Sequence, residues 1–191
     1  MANSAAVIGA PTVSGNDTIS GGGGNDSITG GFGNDAIDGG AGTDMAIFSG
    51  PSASYTINLG AGTVTDNRSP TSSFTPDGTD TLTNFEVLQF SDTAMMIASG
   101  TSGNPIDTSA LTLNAGTSVT GTSGDDYLAV GGNIFGHAIN LGAGTNTVML
   151  TGTGFYNLNL ANVQNVTGTV GDESLNNVVG TLHTGNFILT A

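Results

Sequence analysis

A nine-residue repeat near the start of the chain is the feature that most constrains its fold. Three consecutive units, at 21–29, 30–38 and 39–47, each contain a glycine-rich turn followed by an aspartate and a short apolar strand. A fainter copy precedes them from residue 12. A unit this short cannot bury its apolar side chain alone, so successive units must stack on one another. The period therefore predicts a β-solenoid.

The two parts of each unit have different tasks. Because side chains alternate across a strand, the strand residues Ile19, Ile28 and Ile37 are predicted to point into the core. Two nine-residue units make one full coil. The aspartates therefore stack in two columns, Asp17 on Asp35 along one edge and Asp26 on Asp44 along the other.

These columns of carboxylates predict several calcium ions between the turns. Calcium takes roughly six to eight oxygen ligands, which two stacked turns supply from aspartates and backbone carbonyls. The predicted ligands lie at Asp17, Gly21, Gly22, Gly23, Gly24, Asp26, Gly30, Gly31, Phe32, Gly33, Asp35, Gly39, Gly40, Ala41, Gly42 and Asp44. Asp80 and Asp126, each in a Gly-x-Asp-x-Leu fragment, are further candidates, with turn capping as the alternative.

The predicted core is thin, because each repeat contributes one isoleucine against several glycines whose ordering is entropically costly. Facing carboxylates repel one another without a metal. We therefore expect ion binding and folding to be one event. Sites of the extracellular type bind calcium at roughly 10⁻⁴–10⁻³ M, which would leave this chain unfolded at cytosolic calcium.

The charge balance favours cations as partners. The 191 residues include 15 acidic residues, one arginine and no lysine, for a net charge of −14. Nothing is available to neutralise phosphates, which argues against nucleic acid and anionic membranes. There is no cysteine for disulfides or thiolate sites, and no stretch is long and apolar enough to insert into a membrane.

The second half echoes the first. The heptapeptide at 57–63 recurs letter for letter at 139–145, and the segment at 82–88 is echoed at 160–166. Asn146 stands where the repeat has aspartate. We interpret the chain as two related units, the second having mostly lost its acidic column. The predicted organisation is an arm at 1–11, a β-roll with a closing segment at 12–98, a linker at 99–109 and a second, metal-poor β-solenoid at 110–191.

Residues 21–47 match the pattern Gly-Gly-x-Gly-x-Asp-x-U-x, where U is a large apolar residue. This segment resembles the RTX (repeats-in-toxin) family, and residues 45–98 resemble the segment that often closes such repeats. The first copy departs from the pattern at Thr12-Val13, and the last has the small Ala46 at U. The resemblance implies a right-handed parallel β-roll, calcium between turns, and type I secretion guided by an uncleaved C-terminal signal. The apolar ending at 187–191 is compatible with that signal or with a last strand.

No group of residues predicts catalysis. His137 and His183 are isolated, and the acidic pairs Asp125-Asp126 and Asp77/Asp80 sit in fragments that read as decayed repeats. The prediction is that the chain is not an enzyme and that it has no catalytic residue and no organic cofactor.

The leading functional hypothesis is a secreted, calcium-folded structural protein of a cell surface, such as a surface-layer, matrix or fibre subunit. A solenoid has open edge strands at its ends, where a second copy of the chain can add its own strand. The apolar segments at 5–8 and 186–190 are candidates for this contact. The alternative is a calcium-dependent targeting or carbohydrate-binding module of a larger secreted enzyme or adhesin, with a cell-surface glycan as partner.

Overall fold

The computed structural model describes residues 7–8, 14–108, 111, 113, 116–131, 134–151, 155–169, 174–175 and 187–190. Within these residues the secondary structure is nineteen β-strands and one short 3-10 turn. Nearly all strand pairs are parallel. The predicted all-β fold with stacked parallel strands is confirmed. Backbone contacts divide the chain into a first unit, Met1–Thr93, and a second unit, Ala94–Ala191.

The first unit is a coil with two sheet faces. Its elements are β1 (Val7–Ile8), β2 (Thr18–Ser20), β3 (Ser27–Ile28), β4 (Ala36–Asp38), β5 (Met45–Ile47), a 3-10 turn (Ser52–Ser54), β6 (Tyr55–Asn58), β7 (Thr63–Asp66), β8 (Thr79–Thr83) and β9 (Val87–Gln89). Strands β1, β3, β5 and β9 form one parallel face, and β2, β4 and β8 form the other. Alternate repeats therefore supply alternate faces, as two repeats per coil require.

The register of the strands brings the repeat positions over one another. Ile19 pairs with Ile37, which pairs with Leu82, on one face. Ile28 pairs with Ala46 on the other. Ile28, Ile37, Ala46 and Leu82 are buried. These side chains form the stacked apolar column that the sequence predicts, and β5 and β9 bury Met45 and Val87 in addition.

The closing segment departs from the parallel pattern. Strands β6 and β7 form an antiparallel hairpin that joins β8 antiparallel at the edge of its sheet. Beneath it, Phe48, Tyr55 and Phe90 pack with ring centroids 5.1–5.3 Å apart. The closing segment therefore adds an antiparallel hairpin to the edge of the parallel β-roll.

The heptapeptide repeat does not mark equivalent positions. Residues 59–62 turn the β6–β7 hairpin, where Leu59 is 62% exposed, whereas Leu141 of the second copy is fully buried beside a solenoid turn. Gly142 has φ 75°, a conformation that Gly60 does not adopt. The echo at 82–88 and 160–166 is structural, since Asn84 and Asn162 both have φ 55° at matching turns.

The second unit contains two parallel sheets. Its strands are β10 (Thr93–Met96), which begins at the last residue of the first unit, β11 (Ile106–Asp107), β12 (Ser118–Thr120), β13 (Tyr127–Val130), β14 (Ile134–Asn140), β15 (Thr147–Leu150), β16 (Phe155–Ala161), β17 (Asn165–Thr169), β18 (Ser174–Leu175) and β19 (Phe187–Thr190). One sheet runs in the order β12-β14-β16-β18, and the other in the order β11-β13-β15-β17-β19. Leu128, Val148 and Val166 stack in register and are buried.

Two predicted connecting segments contain strands. Val7–Ile8, in the predicted arm, pairs with β3. Ile106–Asp107, in the predicted linker, pairs with β13. The domain bounds otherwise stay predictions, and His183 and residues 171–173 lie outside the described part of the chain. Among the described residues, no helix has the length and apolarity needed to cross a membrane.

Candidate metal centre

The turns on one edge of the first unit stack into what we call the Asp17 ladder, made of Asp17, Asp35 and Asp80. The backbone N–H of Asp17 donates to Asp35 Oδ1 at 2.8 Å, and that of Asp35 donates to Asp80 Oδ1 at 3.0 Å. One carboxylate oxygen of Asp35 and one of Asp80 therefore bind the coil before them. Asp80, a further candidate from the sequence, continues the column although 45 residues separate it from Asp35.

The opposite edge carries the Asp26 ladder, made of Asp26, Asp44 and Glu86. Asp26 N–H donates to Asp44 Oδ1, and Asp44 N–H donates to Glu86 Oε2, both at 2.8 Å. Sequence reasoning missed Glu86, because its segment lacks the glycine turn. The signal was its position directly before β9, where the repeat places its aspartate before each strand.

Glycines permit the close approach of these turns. Gly40 has φ +98°, and a Cβ there would overlap the carbonyl oxygen of Gly22 in the turn below. Gly42 overlies Gly24 in the same way. The turns are joined by hydrogen bonds from Ala41 N–H to Gly22 O at 2.9 Å and from Gly24 N–H to Ala41 O at 2.8 Å. Larger residues would separate the coils and the oxygens they carry.

The Oδ2 atoms of three ladder aspartates, which do not bind the neighbouring coil, show whether a cation fits between the turns. Oδ2 of Asp17, Asp35 and Asp44 is buried and accepts no hydrogen bond. A buried carboxylate oxygen without a partner is costly, because it has lost water without replacement. A hard divalent cation satisfies this oxygen without requiring a donor. The residues therefore fit calcium.

Backbone carbonyls face the same spaces. A Cβ on Gly21 would lie 2.5 Å from Gly39 O and 2.7 Å from Asp26 Oδ2. A Cβ on Gly39 would lie 2.9 Å from Asp44 Oδ2 and would overlap Asn84 O. Each glycine thus leaves open a cradle between a carboxylate oxygen and a carbonyl oxygen of the next coil. Within the part of the chain that the structure describes, no three acidic or histidine side chains converge on one point, so carbonyls must complete any ligand set.

The other predicted positions form the framework of these turns. The carbonyl oxygens of Phe32, Ala41 and Asp77 each accept an N–H from a glycine of the preceding coil, at 2.8–3.0 Å. Gly33 lies against Gly15, and Gly78 lies against Gly33. The remaining predicted residues, Gly23, Gly30 and Gly31, lie in the same stacked turns. As metal ligands, all these residues stay predictions.

The electrostatics of the ladders call for positive charge. Burial raises the pKa of Asp44, and the charges of Asp26 and Asp38 add to the effect. Burial, followed by the charges of Asp35, Asp77 and Asp66, raises the pKa of Asp80 to about 7, against the lowering effect of its hydrogen bond from Asp35 N–H.

Burial also raises the pKa of Glu86, and the charge of Asp44 adds to it. In each case burial and neighbouring negative charge disfavour the ionised form, and a bound cation would favour it.

The only arginine of this lysine-free chain is engaged elsewhere. Arg68 lies 2.6 Å from Asp66 Oδ2 and 3.5 Å from Asp77 Oδ2, in the closing segment. It also donates to the Tyr55 hydroxyl at 2.8 Å and stacks over Phe74. Burial works to raise the pKa of Asp66, but the hydrogen bonds from Arg68 outweigh it and hold that pKa below its ordinary value. Since the chain has no lysine, the ladders must draw their positive charge from bound ions.

Asparagines add a second set of contacts that sequence reasoning missed. Asn16 Oδ1 accepts from Asn34 N–H at 2.9 Å, Asn34 Oδ1 accepts from Thr79 N–H at 2.9 Å, and Asn25 Oδ1 accepts from Thr43 N–H at 3.0 Å. The signal in the sequence was the Asn-Asp pair that recurs at 16–17, 25–26 and 34–35. In the 34–35 pair, Asn34 binds the next coil and Asp35 binds the previous one, so this pair fixes the stacking on both sides.

The second unit has a column of the same geometry, the Asp126 ladder, made of Asp126, Asn146 and Gln164. Asp126 N–H donates to Asn146 Oδ1 at 2.9 Å, and Asn146 N–H donates to Gln164 Oε1 at 2.7 Å. The oxygens of Asp126 have protein donors: Thr122 N–H on Oδ2, and the hydroxyls of Thr122 and Ser99 on Oδ1. Asp126 as a calcium ligand stays a prediction.

Comparison with known families agrees with the repeat geometry. Residues 12–46 match the model of the RTX calcium-binding nonapeptide repeat in four copies. A search of curated proteins gave no match. The segment therefore consists of RTX calcium-binding repeats, and the resemblance predicted from the sequence is confirmed. The chain is a calcium-binding protein with a β-roll in its first unit.

Proposed function

We propose that this protein is a secreted structural subunit that folds when it meets extracellular calcium and then assembles with copies of itself at a cell surface. The observation that carries the calcium step is the set of buried, unbonded Oδ2 atoms of Asp17, Asp35 and Asp44. Without ions these unbonded oxygens oppose folding, and so does burial of Asp44, which raises the pKa of that carboxyl. With ions the same oxygens hold successive coils together.

The difference in calcium concentration across the membrane then determines on which side the first unit folds. Extracellular sites of this chemistry bind at roughly 10⁻⁴–10⁻³ M, well above cytosolic calcium. The first unit would stay unfolded where it is synthesised and fold after export. An unfolded chain is also the form that can pass through a narrow secretion channel, which supports the type I route that RTX repeats imply.

The open edges of the sheets support the assembly step. In the described residues of the first unit, β2 has one strand partner, β4. In those of the second unit, β19 has one strand partner, β17. Such edges present backbone N–H and C=O groups to a further strand. Contacts between an edge of one copy and a different edge of the next do not close, so they build filaments or sheets.

The experiment is a calcium titration of the full chain, followed by far-ultraviolet circular dichroism and light scattering together. We expect a transition from coil to β-structure at about 0.1–1 mM calcium, with large particles growing over the same range. Magnesium at equal concentration is the control: it screens charge similarly but demands a tighter octahedral geometry.

The outcomes separate the two functional hypotheses. Folding without particle growth, leaving a monodisperse monomer at millimolar calcium, contradicts assembly. Calcium-dependent retention of that monomer on a neutral polysaccharide would then favour the binding-module alternative. A chain that is fully folded in chelator contradicts the calcium step itself.

A further inference from the structure

The amide of Asn146 lies in a cage of carbonyl oxygens. Its Nδ2 is 2.8 Å from Asn162 O, 3.2 Å from Leu141 O, 3.3 Å from Ala143 O and 3.4 Å from Gly142 O. All four neighbours are acceptors, and Asn146 is fully buried. An amide nitrogen has two hydrogens, so it cannot form four good hydrogen bonds. Convergence of this many oxygens on one point is typical of a cation site.

The first unit has the corresponding position, with a carboxylate in place of the amide. Asp44 Oδ1 accepts from Asp26 N–H as Asn146 Oδ1 accepts from Asp126 N–H. Asp44 Oδ2 is then the counterpart of Asn146 Nδ2. Around it, Gly39 and Asn84 correspond to Leu141 and Asn162, and Asn84 and Asn162 share the same φ of 55°.

The next member of each column shows the same exchange of acid for amide. Glu86 Oε2 accepts from Asp44 N–H, and Gln164 Oε1 accepts from Asn146 N–H. Two acids of the Asp26 ladder thus become two amides in the Asp126 ladder with the backbone contacts kept. Each change removes a negative charge that a cation would otherwise have to balance.

The remaining acid of the second column is also satisfied without a metal. In Asp126, Thr122 N–H and the hydroxyls of Thr122 and Ser99 donate to the two carboxylate oxygens at 2.8–3.0 Å. The glycine-rich repeats have glycine at the position of Thr122 and so cannot supply that hydroxyl. Asp44, by contrast, keeps a buried oxygen with no donor.

We propose that the Asp126 ladder is a metal-free counterpart of the calcium ladders, in which the Asn146 amide N–H groups bind the carbonyls that a calcium ion would otherwise bind, so that the second unit folds without calcium. The chain then combines a unit that calcium switches with a unit that stays folded.

The test uses hydrogen–deuterium exchange of the full chain in EDTA and in millimolar calcium. In EDTA we expect β13 and β15 to exchange within about threefold of their rates in calcium, and β4 and β5 to exchange at least about a hundredfold faster than in calcium. Exchange of β13 and β15 that follows calcium as that of β4 and β5 does would overturn the proposal. This readout needs no variant and does not depend on assembly or secretion.

A matched pair of variants tests the amide itself. Asn146→Asp puts a carboxylate oxygen among the carbonyls, and Asn159→Asp adds the same charge at an exposed position of β16. We expect Asn146→Asp to speed exchange of β13 and β15 in EDTA at least about tenfold, with protection restored by calcium and one more ion bound per chain by equilibrium dialysis. Equal behaviour of the two variants in EDTA contradicts the role of Asn146.

Discussion

Gly40→Ala should raise the calcium needed for folding, and Gly22→Ala provides a matched control. Both residues have strongly positive φ, +98° at Gly40 and +96° at Gly22. They differ in what a side chain would meet. A Cβ at Gly40 overlaps Gly22 O, whereas a Cβ at Gly22 has no atom within 4 Å. The pair separates the cost of the backbone conformation from the cost of moving the turns apart.

The size of the effect follows from the contacts between the turns. Alanine in this region of φ costs about 1–3 kcal/mol in both variants. At Gly40 the turns must also separate by about 1 Å, because overlap at this range is not tolerated. This weakens the bonds from Ala41 N–H to Gly22 O and from Gly24 N–H to Ala41 O. At about 1 kcal/mol each, the extra cost is about 2 kcal/mol.

Linkage converts this cost into a shift of the calcium midpoint. If two ions bind on folding, an extra 2 kcal/mol raises the midpoint about fivefold, and if one ion binds, about thirtyfold. The assay is the calcium titration by circular dichroism on wild type and both variants. Equal midpoints for Gly40→Ala and Gly22→Ala would refute the argument that close stacking of the turns assembles the site.

Three further predictions concern single contacts. Asp44→Asn combined with Glu86→Gln copies the amides of the second unit into the first, and should slow exchange of β5 and β9 in EDTA at least about tenfold relative to wild type, whereas the exposed Asp92→Asn should not. Arg68→Gln leaves the buried Asp66 carboxylate without its cation, and should cost roughly 2–4 kcal/mol in urea unfolding at saturating calcium, with Arg68→Lys recovering only part because lysine lacks the planar fork. Burial and then the Asp77 carboxylate raise the pKa of the Tyr55 hydroxyl above its ordinary value of 10.0, so the stability from this group is present below about pH 10 and is lost as pH rises further. The difference in melting temperature between wild type and Tyr55→Phe should therefore narrow above about pH 10, and a constant difference would contradict this assignment.

The sequence predicts the coil of the first unit closely, because its information is periodic. Aspartate at every ninth position can stack in only one way once two repeats make a coil, and Asp17 on Asp35 and Asp26 on Asp44 are in that register. The isoleucine column follows from the alternation of a strand. In this segment the positions that recur in the repeat are also the positions in contact, so the repeat pattern alone was sufficient to predict the stacking.

The ends of the ladders could not be predicted in this way. Asp80 joins Asp35 across 45 residues, and a hairpin inserted between them hides the period. Glu86 has no glycine turn before it, so its place in the Asp26 ladder is set by the pairing of β9 with β5. A contact fixed by strand pairing at long range leaves no periodic signal, so only the Gly-x-Asp-x-Leu fragment at Asp80 and the acid directly before a strand at Glu86 mark these positions.

The repeated heptapeptide shows the opposite failure, in which identical letters adopt different structures. Residues 59–62 turn an antiparallel hairpin because Val64 returns to pair with Ile57. The same letters at 141–144 make a solenoid turn because Asn146 follows and its amide binds the carbonyls of that turn. What decides the structure lies just outside the shared segment.

The two columns of amides and acids connect the fold to the proposed function. Asp44 and Asn146 each give one oxygen to the preceding coil, and they differ in the atom turned toward the carbonyls. With oxygen there, the coil closes only around a cation; with nitrogen, the coil can close by itself. A change of one atom therefore sets whether a stretch of solenoid depends on calcium. The kind of column in each unit then sets which part of the chain needs the ion to fold and which part folds without it.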